Sequence, residues 1–136
     1  MKAPIPAPLA RSLLVTCATV ALAFGLATAV RHGLIERDDL GPACDVADPA
    51  WWCAVRMAFI RAFVHGIYGY ASLALAASAA WWRRSWPACA ALVVGTFGMV
   101  LYDFTWSGAG VVVAVLVLAH LRGQWQPHGE AEQHAH

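Results

Sequence analysis

The chain has 136 residues, 60% of them hydrophobic and only 12% charged, where a soluble domain carries about 25% charged residues. A soluble domain of this length has no interior large enough to hide that apolar surface, so the composition points to lipid. The formal net charge of +1 gives no field that would favour a nucleic-acid partner.

Four apolar blocks follow one another and predict an all-α integral membrane four-helix bundle. The first covers 12–30, and the second, 54–80, is long enough to span a hydrocarbon core that needs about 20 residues. The third and fourth, 87–102 and 107–121, have the length of short spans and are separated by "YDFTWSGAG". One helix through both would run roughly 50 Å at 1.5 Å per residue, too long for one crossing. Two short helices joined by a tight turn just inside the membrane surface are expected instead. The transmembrane domain is thus 1–122, and the polar tail 123–136 is expected to be flexible.

Lys2, Arg11, Arg83, Arg84 and Arg122 fall on one side of such a bundle, and on the other lies the loop 31–53, with Glu36, Asp38, Asp39, Asp45 and Asp48 against Arg31 and Arg37. The positive-inside rule places both termini in the cytoplasm and the loop in the periplasm of a bacterial inner membrane. Trp81, Trp82 and Trp86 flank the arginine pair as an interfacial belt would. A second reading of the first 30 residues is open: a basic start, an apolar stretch and "ATA" at Ala27–Ala29 resemble a cleavable signal peptide.

The second block carries Arg56, Arg61 and His65. If Trp81 and Trp82 mark its cytoplasmic edge, about 20 residues back is Arg61, at the opposite edge. Arg56 and Arg61 are then expected as interfacial anchors that snorkel. Arg61, His65, Tyr68 and Ser72 lie on one face of a continuous helix. This intramembrane polar stripe is expected to face inward, with Asp103 at the same level to pair with Arg61 or contact His65. Small residues at Ala21, Gly25 and Ala29, at Ala62 and Gly66, and at Ala91 and Gly95 are expected packing stripes.

Cys44 and Cys53 bracket eight residues of the acidic loop and predict a structural disulfide. They lack the C-x-x-C spacing of a redox pair. Cys17 and Cys89 lie in apolar stretches and read as small packing residues. Six histidines raise a haem b hypothesis with His65 as an axial ligand. His120 does not match its expected depth on a facing helix, and His32 does so only if the first helix continues and tilts. His128, His134 and His136 read as part of a solvated tail. No phosphate loop, H-E-x-x-H or G-x-S-x-G occurs.

The run "ACDVADPAWWCAVR" and the later "LYDFTWSGAGVVVAVLVLA" resemble small uncharacterised proteobacterial inner-membrane proteins. In these an acidic Cys-containing loop precedes a Trp-Cys helix start, and an "LY(N/D)" turn precedes the last helix. The resemblance covers roughly Cys44 to Ala119. It implies four helices and brings no activity, cofactor or binding residue with it.

The function expected from these readings is that of a non-enzymatic accessory or assembly subunit, docked on a larger membrane protein or on a second copy. A redox or proton-handling component using His65 with Arg61, Tyr68 and Asp103 is the alternative, with or without haem b. A small oligomeric transporter is the third.

Overall fold

A computed structural model describes residues 7–123, so Lys2 and the tail histidines lie outside the described residues. Those residues form six α-helices and one π-helical turn, with no strand among them. In chain order they are α1 (Ala7–Val30), continued by the π turn Arg31–Ile35, then α2 (Leu40–Cys44), α3 (Trp51–Val64), α4 (Ile67–Trp82), α5 (Ser85–Val100) and α6 (Phe104–Gly123). Two of these segments are long and apolar enough to cross a membrane, Ala10–Ile35 and Phe104–Gly123, and the bent pair of α3 and α4 supplies a third if taken as one span.

Three expectations about element bounds are corrected. The segment 54–80 is not one helix: α3 and α4 meet at His65–Gly66 with a bend of 63°. Gly66 sits at φ 65°, in the left-handed region that glycine enters without steric cost. The His65 and Gly66 amides still close the last turn of α3 on the Arg61 and Phe63 carbonyls. The fourth helix is longer than its expected 107–121, because "FTW" joins it, and its 20 residues match a full crossing. The third helix remains short at 16 residues, roughly 24 Å, and Pro87 lies in its first turn, where no intrahelical amide is lost. The loop 31–53 is partly helical, since the π turn extends α1 to Ile35 and α2 follows.

The turns that reverse the chain share one device. Arg84 donates its amide to the Ala79 carbonyl, and Asp103 donates to Gly98. Between each pair one residue, Arg83 or Tyr102, takes positive φ. This is the six-to-one closure of a Schellman motif, here with a side chain where glycine is usual.

Contacts between termini fix the directions of the helices. Arg122 near the end of α6 donates to Ser12 Oγ and Thr16 Oγ1 near the start of α1. Thr16 Oγ1 is 3.8 Å from Cys89 Sγ in α5. At the other end Arg31 donates to the Val100 carbonyl at the close of α5. Hence α1 and α5 run one way and α4 and α6 the other. One end carries Arg83, Arg84 and Arg122, and the other, the acidic end, carries residues 31–53 with Arg31 and Arg37, α3 with Arg56 and Arg61, and the α5–α6 turn.

The core lies between α4, α5 and α6, around Ala76, Ala79, Ala88, Ala91, Leu92, Ala114 and Leu118. Glycines set its spacing. A Cβ on Gly98 would lie 2.2 Å from Ser107 Oγ and 2.7 Å from Tyr68 Cβ, and one on Gly110 would lie 2.3 Å from Ser72 Oγ. The expected stripe of Ala91 and Gly95 is buried. That of Ala21, Gly25 and Ala29 is not: the face of α1 turned to the bundle is Val20, Ala23 and Ala27, and a Cβ on Gly25 would meet nothing.

Candidate functional site

The bend at Gly66 divides the expected polar stripe. Arg61 and His65 end α3 and are exposed, Tyr68 is half-buried, and Ser72 is fully buried. Ser72 Oγ donates to the Ala91 carbonyl at 2.9 Å, tying α4 to α5. Tyr68 packs its ring against Phe97 at 5.6 Å between centroids. The residues expected on one face therefore perform separate tasks.

Asp103 is buried, as expected, but its partner is neither Arg61 nor His65. Its Oδ2 accepts the Gly69 amide at 2.8 Å. Gly69 lies in the first turn of α4, where amides have no intrahelical acceptor, and a carboxylate there also suits the helix dipole. The turn between α5 and α6 thus caps a helix at a residue 34 positions earlier in the chain. The approach is close enough that a Cβ on Gly69 would lie 2.8 Å from that oxygen and 2.3 Å from Trp106 Cβ. Asp103 and His65 do share a recess of about 300 Å³ at the acidic end, with Tyr70, Tyr102, Phe104 and Trp106. Tyr70 and Trp106 stack there at 5.5 Å and 29°.

A second polar group holds the end of α1. Glu36 Oε1 accepts Arg31 Nε at 2.7 Å and the Tyr102 hydroxyl, and Oε2 lies 2.6 Å from His32 Nδ1. The Tyr102 hydroxyl first, and Arg31 second, hold the Glu36 carboxyl down at about 2. The Arg31 guanidinium also lies over the Tyr102 ring, 4.1 Å from its centroid. Arg56 is more than an interfacial anchor. Its Nε and one terminal nitrogen donate to the Leu34 and Ile35 carbonyls, at 3.0 and 3.3 Å, satisfying acceptors that the end of a helix leaves open. Cys44 and Cys53 lie at disulfide distance, with sulfurs 2.09 Å apart, which closes the loop against the head of α3.

Arg31, Glu36, Tyr102, Gly69 and Ser107 escape the sequence reading. Only Gly69 leaves a sequence signal, as a glycine three residues before the inward position of Ser72. The histidines do not converge: His32 and His65 are exposed at the acidic end, His120 is exposed near the other, and among the described residues no three His, Cys, Asp or Glu side chains group as a metal site would require. Compared with family models, curated proteins and solved structures, the chain matches none.

Proposed function

We propose that the chain is a four-helix inner-membrane protein with both termini cytoplasmic, working as a non-enzymatic accessory subunit through its outer faces. In this reading α1, α4, α5 and α6 cross the bilayer, and α3, bent away from α4, lies near its periplasmic surface. The alternating helix directions support that topology, as does the count of five Lys and Arg on the cytoplasmic side (Lys2, Arg11, Arg83, Arg84, Arg122) against four on the other (Arg31, Arg37, Arg56, Arg61). The accessory reading rests chiefly on the filling of the α4–α5–α6 core. Gly95, Gly98 and Gly110 bring Ser72, Ser107 and Val111 so close that not even a methyl group fits between them. A core closed in this way has no room of its own for a substrate path, which leaves the surface as the place of work. The surface is ample: only 11% of the most apolar window of α1 is buried, and Leu14, Leu22, Phe24 and Leu26 are exposed on it.

Photo-crosslinking in intact cells tests this reading. A photoreactive residue in place of Leu22 is expected to give one discrete protein adduct, either with a larger membrane protein or with a second copy. Lipid adducts alone from every exposed position of α1, with the purified protein a monomer, would contradict it. His65 stands exposed at a helix bend rather than between facing helices, which favours the accessory reading over the redox alternative.

A further inference from the structure

The recess at the acidic end has a chemistry of its own. Asp103 is 8% exposed, and among the described residues no Lys, Arg or His forms an ion pair with it. The amide end of α4 meets one of its oxygens, so part of its charge is left for a further partner. Around it stand the rings of Tyr70, Tyr102, Phe104 and Trp106, whose faces carry negative quadrupole charge. Tyr70 and Trp106 form a stacked wall, Phe104 stands beside them, and the backbone of Gly66 comes close enough that a Cβ there would touch both Tyr70 and Trp106, at 3.4 and 3.8 Å. Tyr102 already carries the Arg31 guanidinium, whose charge Glu36 matches. One ring that lines the recess, Tyr102, thus already holds a cation within the protein itself.

We propose that this recess binds an organic ammonium group, with Asp103 as counter-ion and Tyr70 and Trp106 as aromatic walls. Each feature excludes a different alternative. A carboxylate and ring faces repel anions. A divalent metal such as calcium asks for six to eight oxygen ligands, and a single carboxylate does not supply them. An alkylated ammonium takes its stabilisation from ring faces within about 6 Å and from a carboxylate, as aromatic cages do. The volume of about 300 Å³ is at the lower end of ligand pockets, which suits a headgroup-sized cation. By contrast, a larger groove of about 550 Å³ offers no carboxylate: Arg31 and His32 stand with Phe24, Met99, Val100 and Val111 along it. The site is independent of what the outer face of α1 docks against.

Choline and its neutral isostere 3,3-dimethylbutan-1-ol are the probes, followed by saturation-transfer NMR on the full chain in uncharged maltoside micelles. Choline is expected to bind saturably in the millimolar range and the isostere not at all. Asp103→Asn keeps an acceptor for the Gly69 amide, and Tyr70→Ala alters an exposed ring, so both variants are expected to fold. Each is expected to weaken choline binding about tenfold. Competition by dihexanoyl phosphatidylcholine distinguishes the two sources of the group: displacement of choline assigns the site to a lipid headgroup, and persistence of the choline signal assigns it to a soluble cation. No saturable signal, equal binding of the isostere, or wild-type affinity in either folded variant would overturn the proposal.

Discussion

The Asp103 carboxylate accepts the Gly69 amide at 2.8 Å, so the α5–α6 turn is pinned to the first turn of α4. Asp103→Ala is expected to lower stability by about 0.5–2 kcal/mol, the range of a lost helix cap. Arg61→Ala is expected to leave it unchanged, since Arg61 is exposed and the carboxylate is held from elsewhere. Gly69→Ala must displace both Trp106 and Asp103 and is expected to cost about 1–3 kcal/mol, as overpacking does. Thermal unfolding of the three variants in one detergent checks the ranking. A loss with Arg61→Ala as large as that with Asp103→Ala would restore the ion pair.

Two buried serines are expected to respond in opposite ways. Ser72 Oγ makes an interhelical bond to Ala91, so Ser72→Ala is expected to destabilise by about 0.6–1 kcal/mol. Ser107 Oγ is buried with no hydrogen-bond partner, so Ser107→Ala removes an unsatisfied group and is expected to be neutral or stabilising. Denaturation in mixed micelles measures both. Equal losses would mean that Ser107 has a bond of its own.

The latch at the end of α1 has a predictable response to pH. Glu36 titrates at about 2 in the folded chain, against 4.5 ordinarily. A depressed carboxylate contributes stability that is fully present above its unfolded value and lost as pH falls through the folded one. The difference in melting temperature between the wild type and Glu36→Gln is expected to stay constant from pH 8 to about 5. It should then shrink between about 4.5 and 2. The group is open to solvent, so salt should diminish the difference throughout. A difference that stays constant down to pH 2 would mean that Tyr102 and Arg31 do not hold the Glu36 carboxyl down.

How far the sequence reveals this molecule depends on whether a signal is local. Helix content and the disulfide partners are legible, because apolar runs and loop cysteines announce themselves over a few residues. The bend at Gly66 is misread because a glycine four residues after Ala62 fits a packing stripe as well as a helix stop. The partner of Asp103 is misread because backbone amides carry no sequence signature, while Arg61 stands conspicuously at a suitable spacing. The Glu36 latch joins residues more than sixty positions apart, and nothing in either segment marks the other.

The disulfide gives a direct chemical expectation. Alkylation of the unreduced, denatured chain is expected to label Cys17 and Cys89 alone, and prior reduction should add Cys44 and Cys53. Removing the bridge by Cys53→Ser is expected to cost about 2–3 kcal/mol for so short a loop. Four labels without reduction would mean that the pair is unbridged.

Topology is the claim on which the rest stands, and cysteine accessibility in intact cells measures it. In a Cys17→Ala and Cys89→Ala background, Asp38→Cys in the acidic loop is expected to react with a membrane-impermeant maleimide. Ser85→Cys and Gly123→Cys are expected to react only after the membrane is opened. Labelling of Ser85→Cys or Gly123→Cys from the same side as Asp38→Cys would contradict four crossings with both termini inside.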